Sequence, residues 1–414
     1  MDVFQQPART GETMKIKKAA VMGAGAMGTG IAHALASAGM EVLLIDVGRE
    51  LVERGVQKID ARCASEVKKG KLAPEEKGRI MDRIRGSVSH RDGSDAELII
   101  EAVIEERTIK GELFRSLDRI CPRESIFATN TSTLSITGLG NASGRPERFL
   151  GLHFFNPVHA MRLVEVIPGL DTAKAVIDGA VELTKSIGKA PVLVQDCPGF
   201  LVNRVLLAYI GEALLSVQEG TAPEEIDRGA KQEGFPMGPL ELSDMVGWDV
   251  SLHTLPILND AYGERFPFPE IVRKLNDAGR LGMKTGKGIY SEGKVDDEFG
   301  EMVKSIGARK GNEPFSADRI ILRQVNEAIH CLQEGVASAE EIDRAMVLGT
   351  GFPNQAGIGG PLHWADQRGL DWVLATLQDL TEQKGTRFWP HHLLKKYVAA
   401  GRLGRKSGRG FFDY

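Results

Sequence analysis

An α/β domain with a mostly parallel, doubly wound sheet, followed by two tandem all-α domains, is the fold class this sequence predicts. Three observations predict it. Short apolar runs alternate with helical stretches through the first half of the chain. A glycine-rich turn joins the first apolar run to the first helix. The remainder of the chain carries one ordered internal repeat.

In chain order, residues 1–14 are polar and contain Gly and Pro, which reads as a flexible tail without the apolar core of a secretory signal. From Lys15 the spacing predicts strands at 19–22 and 42–45 with a helix at 27–37 between them. A long basic amphipathic helix follows at 51–69, then strands at 98–100, 125–128, 149–153, 163–167 and 192–194. Strand and helix in alternation give a Rossmann-type domain over 15–195. The run Asp196-Cys197-Pro198-Gly199 breaks the pattern, and no strand-like runs follow it. Apolar residues at helical spacing from Phe200 to Glu219 open a first helical domain, 196–290. The polar segment 291–312 reads as a linker, and a second helical domain fills 313–414. The second repeats the first. Glu219-Gly220 and Glu224-Glu225-Ile226-Asp227-Arg228 return as Glu334-Gly335 and Glu340-Glu341-Ile342-Asp343-Arg344. Gly279-Arg280-Leu281-Gly282 returns as Gly401-Arg402-Leu403-Gly404, all at offsets of 115 to 122 residues. Such a period is longer than that of a solenoid and indicates a duplicated domain.

Composition narrows the function classes. The 414 residues are 42% hydrophobic and 26% charged, with a formal net charge of −4. That balance suits a globular protein and gives no general attraction to nucleic acid. The apolar runs are too short to span a bilayer, so no membrane partner is expected. The four cysteines, at 63, 121, 197 and 331, have no zinc-ligand or redox-motif spacing. No metal is expected, and reduced thiols point to a cytoplasmic compartment.

The chemistry-bearing residues follow strand ends, which line the ligand crevice of an open α/β sheet. Gly23-Ala24-Gly25-Ala26-Met27-Gly28 follows the first strand and opens the first helix. The first glycine permits the turn, the second lets a pyrophosphate approach the backbone, and the third lets helix and strand pack; the amides at Ala26 and Met27 face the phosphates. Asp46 closes the second strand, where a carboxylate binds ribose hydroxyls and repels a 2′-phosphate, so the cofactor is NAD rather than NADP. Glu105 and Lys110 follow the strand at 98–100, either on the nicotinamide side or as ordinary charges of a helix start. Asn130-Thr131-Ser132 follows the next strand; its hydroxyls and amide can hydrogen-bond a carbonyl or alcohol, but on local evidence alone it reads as a helix N-cap cluster. His153 ends another strand, and Glu165 stands in the apolar run Leu163-Val164-Glu165-Val166-Ile167. A carboxylate there needs a partner. His153 would be that partner and a general base, imidazole being the side chain that changes charge near neutral pH. Asn203 lies in the first helix after the break, and Asp318 occupies the matching place in the repeat, which marks the second helical domain as structural.

Together, GAGAMG, Glu101-Ala102-Val103-Ile104-Glu105, Asn130-Thr131-Ser132, His153-Phe154-Phe155-Asn156-Pro157, Glu165-Val166-Ile167 and Gly199-Phe200-Leu201-Val202-Asn203-Arg204 resemble the L-3-hydroxyacyl-CoA dehydrogenase family. The resemblance runs through nearly the whole chain from Lys15, and the doubled helical domain is similar to the dehydrogenase half of multifunctional β-oxidation enzymes. It implies reversible NAD-dependent oxidation of (S)-3-hydroxyacyl-CoA to 3-ketoacyl-CoA. It implies His153 as general base, Glu165 as its partner, and Ser132 and Asn203 on the substrate's 3-oxygen, with the first helical domain completing the active site. It further implies Glu105, Lys110, Asn130 and Ser132 beside the cofactor. Arg62 and Lys69, on the basic helix, are the candidate CoA ligands. The family's dimer contact implies a homodimer or an intramolecular pseudo-dimer through the second helical domain. Two rivals share the fold: a dehydrogenase of a free hydroxy or sugar acid, and a non-catalytic NAD-binding relative.

Overall fold

The computed structural model describes residues 16–307, 315–355 and 358–414. The tail predicted at 1–14 and the end of the segment 291–312 lie outside these residues. Two compact units divide between Asp196 and Cys197.

The first unit holds an eight-stranded sheet. Its strands are β1 (Lys18–Met22), β2 (Glu41–Ile45), β3 (Ile84–Ser87), β4 (Leu98–Glu101), β5 (Ile126–Thr129), β6 (Phe149–Phe154), β7 (Leu163–Pro168) and β8 (Ala190–Leu193), in the spatial order β3-β2-β1-β4-β5-β6-β7-β8. All neighbours are parallel except β6 and β7. The helices are α1 (Ala26–Ser37), α2 (Arg49–Lys68), α3 (Pro74–Asp82), α4 (Arg107–Asp118), α5 (Ile136–Ser143) and α6 (Lys174–Ser186). Strands buried on both faces read as continuous apolar runs, as Ala19-Ala20-Val21-Met22 does, with each residue at most 1% exposed. Ala19 and Val21 pack in one layer with Ile31, Leu35 and Ile59 of α1 and α2. On the other face Phe114 of α4 stacks on Phe127 and meets Phe149 edge-on. β3 and α3 are absent from the sequence-based expectation, because Ile84 is the only large apolar residue of that strand.

Strand order reverses between β1 and β4. Loops leaving the two carboxyl ends diverge there, which opens the crevice where such sheets take ligands. β7 departs from the parallel pattern. It returns antiparallel to β6 after a loop with a cis Asn156–Pro157 bond.

The second unit is helical: α7 (Val202–Gln218), α8 (Pro223–Gln232), α9 (Pro239–Val246), α10 (Trp248–Tyr262), α11 (Glu270–Asp277) and α12 (Asp297–Ser305), then α13 (Ala317–Gln333), α14 (Ala339–Thr350), α15 (Pro361–Arg368), α16 (Leu370–Lys384) and α17 (His392–Ala399). The repeat is structural as well as sequential. Asp244 accepts the amides of Ile289 and Tyr290, and Asp366 accepts those of Phe411 and Phe412. The glycines beside these pairs recur because a Cβ at Gly288 or Gly410 would lie 2.0 Å from the aspartate oxygen.

Two expectations change here. Two-residue strand pairs do occur after Pro198, at Tyr290–Ser291 with Lys294–Val295 and at Asn354–Gln355 with Ile358–Gly359. The segment 291–312 is not an open linker through its first half. Asp296 caps α12, Phe299 is buried, and Arg280 binds both Asp296 and Glu298.

α7 and α13 carry a pseudo-symmetric set of ion pairs. Arg204 Nε donates to Glu327 at 2.7 Å and Nη1 to Glu334 at 2.7 Å. Arg319 Nε donates to Glu212 at 2.7 Å and Nη1 to Glu219 at 2.9 Å. Arg265 and Arg387 add matching bonds to Glu327 and Glu212. Each arginine sits at the other's repeat position, so the two modules pack on one another as near-equivalent halves.

Candidate active site

The glycine turn is built by lack of space. Gly23 has φ +106° and donates its amide to Ile45 O at 2.7 Å; a Cβ there would lie 2.4 Å from Ala102 O. A Cβ at Gly28 would lie 1.8 Å from Gly23 O, so α1 can approach β1 only through a glycine. At Gly25 a Cβ would meet nothing within 4 Å, and Gly25 and Ala26 are exposed. No side chain caps α1, so Ala26 and Met27 begin a helix whose first amides face outward from the turn. This open cradle fits a dinucleotide pyrophosphate. Asp46 accepts Ala24 N at 2.7 Å through one oxygen and Val47 N at 2.7 Å through the other. It thus fixes the turn to the end of β2, and each oxygen retains acceptor capacity for a ribose hydroxyl.

Beyond β4 lies a charged cluster. Lys110 and Glu101 are 1% and 0% exposed, and Lys110 Nζ donates to Glu101 Oε1 at 2.5 Å. It also pairs with Glu105 Oε2 at 3.2 Å. The Lys110 ammonium thus bridges two carboxylates. Glu101 also accepts Thr129 Oγ1 at 2.6 Å and Val103 N at 2.7 Å. Burial pushes its carboxyl up despite Lys110. Glu105 Oε1 accepts Thr131 Oγ1 at 2.5 Å, Ser132 N at 2.8 Å and both the amide and hydroxyl of Thr133 at 3.1 Å. The threonine-rich segment is thus a carboxylate-bound turn rather than a helix cap; the cap of α5 is Ser135. Asn130 Oδ1 accepts Phe154 N at 2.8 Å, which ties the end of β5 to the end of β6.

His153 and Glu165 are directly opposite in the β6–β7 register. His153 Nδ1 lies 2.7 Å from Glu165 Oε2, with the side chains 7% and 0% exposed. A carboxylate only accepts, so the proton lies on Nδ1 and Nε2 is the basic nitrogen. The Phe155 ring packs 4.6 Å from the imidazole. Antiparallel pairing explains the twelve-residue separation, which places the two on one face across adjacent strands.

Asn203 belongs to the helical unit, in the first turn of α7. Its repeat position, Asp318, faces Arg368 at 3.7 Å, so the second module does not duplicate that residue's chemistry. Arg62 pairs with Glu66 at 3.0 Å on α2, and Lys69 is exposed at its end. Glu101, Thr129 and Thr131 were not singled out individually from sequence. The signal available was a threonine at every second position after a strand, facing an acidic strand end.

The NAD-binding domain model of 3-hydroxyacyl-CoA dehydrogenase matches residues 18–197, and the C-terminal domain model of the same enzyme matches twice, at 199–292 and 315–414. The alpha subunit of the fatty acid oxidation complex of Psychrobacter sp. (strain PRwf-1) is 38% identical over 411 residues, covering 95% of this chain and 55% of that protein. The chain therefore spans about half the length of the curated relatives it matches. The crystal structure of 3-hydroxybutyryl-CoA dehydrogenase from Escherichia coli K12 superposes with a TM-score of 0.85 at 32% identity, covering 94% of this chain and 99% of that one. That of (S)-3-hydroxybutyryl-CoA dehydrogenase from Ralstonia eutropha gives 0.66 at 38% identity, covering 68% of this chain and 100% of that one. NAD is the cofactor of the matched N-terminal domain, and the glycine cradle with Asp46 fits it. Two domain models of one enzyme, matched in order across nearly the whole described chain, establish that this protein belongs to the 3-hydroxyacyl-CoA dehydrogenase family.

Proposed function

We propose that this chain catalyses reversible, NAD-dependent oxidation of (S)-3-hydroxyacyl-CoA to 3-ketoacyl-CoA. The observation that carries the proposal is the buried His153–Glu165 pair at 2.7 Å, on the same sheet edge of loops as the Glu105-bound Ser132 turn. NAD, when bound, accepts the hydride that leaves C3 of the substrate. His153 Nε2 takes the hydroxyl proton as the C3–O bond becomes a carbonyl, so two electrons and one proton leave with the hydride and the second proton stays on the imidazole. Glu165 holds the productive tautomer and offsets the positive charge that forms. Ser132 and Asn203 hydrogen-bond the 3-oxygen. Gly25, Ala26 and Met27 hold the pyrophosphate of NAD and Asp46 its ribose, with Gly23 and Gly28 shaping the turn. Glu105 and Asn130 lie toward the nicotinamide end. Arg62 and Lys69 meet phosphates of CoA.

Related proteins of fatty acid oxidation support a cytoplasmic role in acyl-thioester metabolism. The pseudo-symmetric packing of α7 on α13 supports an intramolecular pseudo-dimer, with the second module in the position a partner subunit would take. A rate series with NADH and 3-ketoacyl-CoA substrates of increasing chain length, beside the free 3-keto acids, tests the activity. Turnover confined to the thioesters is expected; preference for a free acid contradicts it.

A further inference from the structure

We propose that Glu105 is a positioning residue for Ser132, held in place by Lys110 and, behind it, Glu101. This rests on the reading of Ser132 as a ligand of the substrate's 3-oxygen.

The argument starts from a single oxygen. Glu105 Oε1 gathers two hydroxyls and two amides from three consecutive residues, Thr131 to Thr133, and one of the amides belongs to the middle residue, Ser132. Thr131 Oγ1 in turn accepts Thr133 N at 3.3 Å and Leu134 N at 3.0 Å. The backbone of Ser132 is thus fixed on both sides by bonds that converge on one carboxylate. Such a fan of donors needs an ionised acceptor. Burial alone would raise the Glu105 carboxyl; Lys110, the Thr131 hydroxyl and the Ser132 amide outweigh it and hold it below the usual range. The other oxygen, Oε2, is taken by Lys110 at 3.2 Å. Lys110 cannot swing away, because its ammonium is 2.5 Å from Glu101, which is anchored to the strand end by Thr129 Oγ1 and Val103 N. The chain of contacts therefore runs from two adjacent strands, β4 and β5, through two carboxylates and one ammonium, to the turn that carries the Ser132 hydroxyl. A hydrogen-bond donor for a reacting oxygen is effective only when its geometry is set before the reaction, and a displacement near 1 Å costs on the order of 100-fold in rate.

The test is a double-variant cycle. Glu105→Ala is expected to lower kcat at least ~10-fold, with a smaller fold-change in the dissociation constant for NADH, read by fluorescence titration, because Glu105 is assigned to the nicotinamide end alone. In a Ser132→Ala background the same change is expected to cost less than about 2-fold more, because the group it positions is gone. Should the melting curve show that Glu105→Ala does not fold, Thr131→Val removes one donor at nearly constant volume and carries the same cycle. Multiplicative losses, or a loss seen in the NADH constant and not in kcat, overturn the positioning role and leave the reading of Ser132 intact. Wild-type kcat in Ser132→Ala overturns both.

Discussion

At the scale of single residues, the site depends on charges that are held rather than exposed. Asp46 shows this most simply. Its two oxygens lock Ala24 and Val47, so the same carboxylate that we assign to the ribose also sets the path of the glycine turn. Asp46→Ala is expected to raise KM for NAD and to narrow the preference over NADP, measured as the ratio of kcat/KM for the two cofactors. An unchanged ratio would separate Asp46 from ribose recognition. Residue types at strand ends made much of this legible in the sequence: a glycine turn, an Asp after the next strand, and a carboxylate in an apolar run that required a partner. The partners of Lys110 were not legible: that its ammonium pairs with both Glu101 and Glu105 depends on its burial, and burial is a property of the packed sheet. The pairing of Arg62 with Glu66 on α2 was likewise not read from the sequence.

At the scale of elements, packing distances decide. α1 and β1 approach so closely at Gly28 that one methyl group would stand 1.8 Å from a backbone oxygen. That neighbour is main chain and cannot rotate away. Gly28→Ala is therefore expected to displace the start of α1, lower the melting temperature and abolish NADH binding in a fluorescence titration; normal binding would show that the turn tolerates a wider helix–strand spacing. The strands legible in the sequence are the central ones, because burial on both faces writes a continuous apolar run. β3 was not legible, since an edge strand with Arg85, Gly86 and Ser87 has one covered position and no run to read. The reversal of β7 was equally silent. Its direction comes from the loop after Phe154, yet it is this reversal that sets Glu165 opposite His153.

At the scale of the whole molecule, the duplication creates an interface inside one chain. Glu327 is fully buried among Arg204, Arg265 and Arg323. Burial alone would raise its carboxyl, and the guanidiniums of Arg204 and Arg323 overcome this and hold it down to about 2. A carboxyl depressed in the folded state from 4.5 contributes stability that is complete above that value and is lost as pH falls toward 2. Melting temperatures of the wild type should fall through this window, and Glu327→Gln should flatten the fall. At neutral pH the same change should destabilise the chain by about 3–5 kcal/mol, because two buried arginines, Arg204 and Arg323, and the partly buried Arg265 lose a shared partner; an unaltered acid limb would remove Glu327 from this role. Sedimentation should give one chain per particle, and a dimer would contradict the pseudo-dimer. The most direct measurement of the proposed proton transfer is the steady-state rate of His153→Gln with acetoacetyl-CoA and NADH. A fall in kcat of at least ~100-fold with little change in KM is the predicted result, and turnover near that of the wild type would contradict it.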